Sequence, residues 1–449
     1  MGTSRRAAVA AWRFGLGARP GELEEAASDP EGWLLDQLRA PDAGPSGMSA
    51  GDAVAHFGRA TTDGMEDKAA RKERRQAARA HFKQESAARV RHRVETPTPF
   101  RERLVAFWSN HFTVSVRRPA LFPLAVAHER EAIRPHVAGR FSDLLLAAVR
   151  HPAMLIYLDN PRSIGPRSRL GQRREGAGLN ENLAREVLEL HTLGADGGYS
   201  QDDVVALARI LTGWSVDRRG DGGFVFRERA HEPGAQRLLG RRYRQPGVEQ
   251  GEAALRALAR HPSTAQHICH KLAAHFVSDA PPPRVVDALT EVFRDTDGDL
   301  AAVSRALVER PEAWSDVGSK VRSPEDWLTA AARALALDQQ PEKRDGKDLG
   351  ERLLGLHARL GQAPFSAPSP AGWPDHAAAW AGSEALLERI DVAGRLGRRL
   401  SRVHRDAAAH AESVLGPLLD GRTAKALRRA PDRGEALALL LLSPAVVRR

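Results

Sequence analysis

The chain has a single cysteine, Cys269. That excludes an internal disulfide and any cysteine-based zinc site. It fits a reducing compartment, and equally a secreted protein that needs no disulfide. Aromatic residues make up 5% of the 449 residues, with three Tyr, and there are four Met. A methionine-rich or aromatic-lined promiscuous surface is therefore not expected. No window approaches the roughly 18 consecutive apolar residues that a membrane-spanning helix needs. The opening, MGTSRRAAVAAWRFGLGARPGELEEA, has two arginines and then an apolar run that Arg13 soon breaks. It does not read as a secretory signal, so the chain as written is expected to be cytoplasmic. Strand patterning is scarce, and no fixed-period repeat occurs.

What is present is helical periodicity and charge. Apolar residues reach 42%, ample for a buried core. The formal charge of +10 rests mostly on arginine. A coding bias of Arg over Lys explains this more simply than an acidic partner. Thr98 and Pro99 have the form of a helix start, and Leu104, Phe107, Trp108 and His111 then share a face. Ser200 with Asp203 has the form of a capping box. Further helices are expected at 140–149, 251–260, 263–277, 283–293, 300–309, 324–335, 348–360, 383–400 and 434–442. The fold class expected is mainly α: one large multi-helical domain over residues 1–449, with scope for two helical lobes. At most a small β-hairpin is expected, between Gly223 and Tyr243. Residues 66–92, rich in Ala and Arg, read as a basic, largely solvated helix. No aromatic series or nucleic-acid motif accompanies it, so nucleic-acid binding there is a minor reading.

Several motifs fail on spacing. Gly15 to Gly21, GLGARPG, is not a dinucleotide fingerprint, because Pro20 intervenes and the third Gly comes late. His128-Glu129 opens like a zinc-protease motif, but position 132 is Ala. Asp295 to Asp299 lacks the closing Glu of a calcium loop, and Asp299 reads better as a helix cap. No nucleophile elbow or phosphate loop appears.

The segment GLNENLAREVLELHTLGADGGYS, Gly178 to Ser200, poses the functional question. On a regular helix Glu186 and Glu189 share a face with Asn182, while His191 lies on the flank of the apolar side. Apolar residues nearly surround the helix, so deep burial of both carboxylates is expected. Neutralisation by Arg185 or a remote arginine would follow. The alternative makes Glu186 or Glu189 a base or a ligand in a polar pocket. His111 faces inward on its own helix, and His231 lies in a loop, AHEPG, suited to chemistry. The candidate set is therefore Glu186, Glu189 and His231 as catalytic groups, with Asn110, His111, Asn182 and His191 as binding groups. Carboxylate and imidazole ligands would suit a divalent metal such as iron, manganese or zinc.

FWSNHF at Phe107–Phe112, HPAMLIYLDN at His151–Asn160, the NENLARE-to-GGYS block, HPSTAQHICHKLAAHFV at His261–Val277 and PAGWP at Pro370–Pro374 resemble one bacterial family. It is the domain of unknown function 1800, and the resemblance spans nearly the whole chain. The resemblance implies a mainly helical protein without an established activity. It also implies frequent export, and a partner from a neighbouring uncharacterised family, numbered 1501, that is similar to sulfatases and alkaline phosphatases. The family's loop pattern His-Asp-x-Gly-x-Lys stands here as His231-Glu232-Pro233-Gly234-Ala235-Gln236, without the Lys. The function expected is a helical scaffold or accessory subunit with a buried polar cluster. The alternative is a metal-dependent hydrolase or oxidoreductase using that cluster.

Overall fold

Short polar side chains, Ser or Asp, set many helix starts in this chain. A computed structural model describes residues 4–58, 68–173, 176, 178–218, 220–340 and 346–449. Helix α1 spans Lys68–Glu95 and α2 spans Pro99–His111. α3, Asn182–Glu186, opens on the Asn180 side chain, whose Oδ1 accepts the Asn182 amide at 3.0 Å. α4, Gln201–Ile210, carries the complete Ser200/Asp203 capping box. α5 is Pro262–Phe276, α6 Pro324–Ala334, α7 Ser383–Leu400 and α8 Arg433–Leu441. The fold is mainly α, as expected. Among the described residues no helix is long and apolar enough to cross a membrane.

Two starts follow a pattern the sequence reading passed over. His151 precedes Pro152 and His261 precedes Pro262, and each ring Nδ1 accepts the amide two residues on, at 3.2 Å. Proline supplies the fixed φ of the first helical residue and has no amide to satisfy. Thr98 behaves differently from expectation. It makes no side-chain cap, because its hydroxyl pairs with Thr96 at 3.1 Å instead.

The strands also differ in pairing. β1, Trp214–Val216, pairs antiparallel with β2, Phe224–Phe226; β3, Gln236–Leu238, pairs with β4, Arg241–Tyr243. So the described residues form two hairpins, and Phe224–Phe226 turns back onto the buried β1. Leu239 and Gly240, both at positive φ, close the second.

The core falls into two clusters. One gathers Phe14, Phe100, Trp108, Phe141 and Phe276; the other gathers Trp12, Trp327, Val392, Leu415 and Leu437. α7 and α8 pack closely in the second cluster. A Cβ on Gly397 would lie 2.1 Å from the Gly434 carbonyl, so the glycine sets that approach.

Arginine is built into the interior as well as the surface, which a coding bias does not account for. Arg333 is fully buried, donating to the carbonyls of Gly17, Val94 and Thr96 and to Glu22. Arg134 grips Glu102 through both terminal nitrogens, at 3.0 and 2.6 Å. The basic helix differs between its two halves. Residues 66 and 67 lie outside the described residues, and 68–77 are mostly exposed. Further on, Glu85, Arg89 and Arg93 are buried. Arg89 meets Glu129 at 2.8 Å and Glu325 at 2.7 Å.

Candidate functional site

A cavity of about 240 Å³ lies between α2, α5 and the start of α6. α2 supplies Phe107, Asn110 and His111, and α5 supplies His270, Lys271 and His275. The start of α6 supplies Glu325 and Asp326, and the loop Trp373–Asp375 closes the remaining side. On α5 the residues His267, His270, Lys271, Ala274 and His275 recur at spacings of three and four. They form one stripe, opposite the buried Ile268, Leu272 and Phe276. That spacing was the available signal for Lys271, which the sequence reading missed.

Lys271 is partly exposed along its length, but its Nζ is desolvated. Burial pushes its pKa down to about 8, and Asp375 pulls only weakly the other way. Its Nζ lies 3.0 Å from His111 Nδ1. His111 Nε2 lies 3.2 Å from the carbonyl of His191. A carbonyl can only accept, so Nε2 carries the proton and Nδ1 turns its lone pair to Lys271. Burial, then the Lys271 charge, holds the His111 pKa well below the ordinary histidine range. Near neutral pH the pair is thus an ammonium donating to a neutral imidazole.

The helix that posed the question contributes its end rather than its carboxylates. After α3 the backbone widens into a π turn over Val187–Thr192, and Leu193 N donates to Leu188 O, five residues back, at 2.9 Å. The last carbonyls point outward. His267 Nε2 meets Leu190 O at 3.3 Å, and His111 takes His191 O. Gly194, at φ +86, leaves room for the His267 ring, whose Nδ1 would sit 2.9 Å from a Cβ there. Two histidines therefore cap one helix C-terminus, where the dipole and free carbonyls favour donors.

Of the expected site residues, Asn110, His111 and His191 come together, with the two imidazole rings 6.0 Å apart. Asn110 is a positioning group. It donates to Trp373 O at 2.9 Å and accepts Trp373 N at 2.8 Å, binding that loop to α2. The others stand elsewhere. Asn182 is exposed, and Glu186 and Glu189 are half-buried rather than deeply so. Arg185 pairs with Glu181 at 3.0 Å, and among the described residues no arginine forms an ion pair with Glu186 or Glu189. Burial and then Glu189 raise the Glu186 pKa. Tyr199 donates to Glu189 at 3.4 Å. His231 Nδ1 meets Thr212 O at 2.9 Å, and the adjacent buried Glu232 accepts from the Arg167 side chain at 2.7 Å. Glu232 fastens the loop around residue 167 to the hairpins, and His231 ties its own loop to the residue two before β1. Among the described residues no three His, Cys, Asp or Glu side chains form a set able to hold a metal ion.

A family model described as Protein of unknown function (DUF1800) matches residues 9–448. The chain belongs to that family. No curated protein and no solved structure matches it. In this DUF1800 member, three of the segments behind the resemblance, FWSNHF, HICHKLAAHF and PAGWP, meet at the one cavity.

Two expectations follow from the site. Gly372 has φ +84, and a Cβ there would lie 2.5 Å from the Asn110 carbonyl. Gly372→Ala is expected to cost about 1–3 kcal/mol by strain and to loosen the Trp373 wall, read by thermal unfolding. The buried His111, His128, His191 and His357 all have pKa values below 6.5, burial being the main cause. The unfolded chain takes up their protons below about pH 6.5 and the folded chain does not. Stability is therefore expected to fall between pH 6.5 and 4, each ring contributing up to about 1.4 kcal/mol per pH unit. Denaturant unfolding at pH 7, 6 and 5 checks this; a flat profile would exclude neutral buried histidines.

Proposed function

We propose that this cavity binds a small anionic molecule and that Lys271, with His111 behind it, moves a proton on it. The observation that carries this reading is the desolvated Lys271 ammonium in the cavity wall, held by a neutral imidazole at 3.0 Å rather than by a carboxylate. An amine with a pKa of about 8 divides between acid and base forms near physiological pH, which suits general acid–base work. His111 keeps the amine oriented, and the carbonyl of His191 keeps His111 in the tautomer that accepts. Arg93, Arg103 and Arg449 also line the cavity but are paired with Glu325 or Asp326, so among the described residues Lys271 is the cation of the lining that its carboxylates do not hold in an ion pair. In the acid direction Nζ–H passes its proton to an oxygen of the bound anion, and the neutral amine recovers a proton from solvent.

Thermal-shift titration with a panel of small carboxylates and phosphate monoesters tests the reading. At least one member is expected to raise Tm saturably at pH 7, to lose that effect above pH 8 as Lys271 deprotonates, and to lose it in Lys271→Met. A panel without any saturable shift, or an unchanged shift in Lys271→Met, would remove the proposal.

The scaffold reading keeps one specific observation of its own. Leu386, Leu387 and Ile390 are exposed along one flank of α7, Leu387 to 65%. In that reading a separate protein covers them, the sulfatase-like family being the partner the resemblance implies.

A further inference from the structure

A second cavity, of about 260 Å³, lies between the first half of α1, the turn around Pro119–Leu124 and the loop that follows β1. It shares no lining residue with the Lys271 cavity. Its walls are of two kinds. Val54, Leu124 and Ile156 belong to an apolar floor, while five arginines stand around it, among them Arg71, Arg75 and Arg218. Among the described residues no Asp or Glu belongs to the lining. The first cavity is the reverse, because Glu325, Asp326 and Asp375 line it beside its cations. Arg118, also at the second cavity, has Asp159 at 2.7 Å. For Arg71, Arg75 and Arg218 the described residues of the lining supply no anion. Burial, then Arg227 and Arg162, holds the Arg218 pKa below its ordinary value. Outside the mouth the same side of α1 continues with Lys68, Lys72 and Arg79, a field that draws anions inward.

We propose that this cavity binds a single-chain amphiphilic anion, its alkyl tail on the apolar floor and its carboxylate or phosphate head among Arg71, Arg75 and Arg218. Guanidinium forks match both head groups. A polynucleotide would use the outer stripe but has nothing to bury on an aliphatic floor, and among the described residues no series of aromatic rings lines the cavity for its bases. An amphiphile satisfies both kinds of wall at once.

Calorimetric titration of the full chain with decyl phosphate and with decanoate, below their micelle-forming concentrations, tests this. One saturable site per chain is expected for at least one of them, and the better of the two identifies the head group. Each buried methylene adds roughly fourfold, so binding should exceed that of butyl phosphate and inorganic phosphate by at least about tenfold. Arg71→Gln with Arg75→Gln, both exposed positions on α1, should weaken it at least about tenfold while leaving Tm unchanged. Ala120→Trp, placed at an exposed position of the lining, should block it. The proposal fails on any of three results: equal binding of decyltrimethylammonium, inorganic phosphate binding as tightly as decyl phosphate, or undiminished binding in these variants. It also fails if monomeric amphiphile does not bind while anionic vesicles or an oligonucleotide do.

Discussion

Asp326→Asn is expected to destabilise the protein by about 3–5 kcal/mol, the largest effect of any single surface-neutral change. Asp326 is the hub of a buried cluster. Arg103 reaches it at 2.7 Å, Arg322 at 3.3 Å and Arg449 at 3.1 Å, with all three guanidiniums at most 4% exposed. Burial alone would raise the Asp326 pKa, and the Arg103 and Arg322 charges outweigh it, so the carboxyl sits below its usual range. Asparagine keeps the shape and removes the charge, leaving the desolvated Arg103 and Arg322 without this counter-ion and Arg449 with the more distant Asp375 at 3.6 Å. The sign with pH follows. The stabilisation is fully present above the ordinary aspartate value and is lost only as pH falls through the lower folded one. Urea unfolding of the variant at pH 7, against Glu31→Gln, measures the effect. Glu31 pairs with Arg6 near the surface, and its loss should cost no more than about 1 kcal/mol. Equal effects for the two variants would mean that the cluster is solvated.

Lys271→Met should do the opposite, raising stability at pH 7 while removing ligand response at the cavity. A lysine held at about 8 in place of 10.5 is a charged group that the folded state disfavours. The cost is full below pH 8 and disappears as pH rises past 10.5, since both states are then neutral. At about 1.4 kcal/mol per unit the shift corresponds to about 3 kcal/mol. Discounting for the partial exposure of the side chain and the lost bond to His111, a gain of about 1–2 kcal/mol is expected. The gain should shrink when wild type and variant are compared at pH 10. A group that lowers stability where it stands has its reason in chemistry, whereas a loss of stability in the variant would mark Lys271 as a packing residue.

Local signals were legible in the sequence, and those that needed a remote partner were not. The Ser200/Asp203 box, the Asp299 cap and the helices Leu300–Glu309 and Ser383–Leu400 appear as read, because a cap and an amphipathic period lie within a few residues of each other. The hairpins went astray because Phe224–Phe226 chooses its partner through burial of Trp214–Val216, not through its own composition. The helical wheel over Glu186–His191 assumed 100° per residue, and the π turn breaks that assumption at Val187. Its neighbours then proved to be histidines from α2 and α5 that seek carbonyls, which side-chain patterns do not display. The arginines that matter most were hidden in a composition that looked like bias. Nothing local distinguishes the buried Arg103 from an exposed one; its partner Asp326 lies 223 residues away.

The titration of the Lys271 side chain decides most directly between a chemical and a structural cavity. In a 1H–15N correlation of the lysine Nζ groups, its signal is the one missing from Lys271→Met. A midpoint near pH 8 is expected, with His111 remaining neutral down to well below pH 6.5. A midpoint at the ordinary lysine value of about 10.4, or a His111 ring that protonates at the ordinary histidine value, would contradict it.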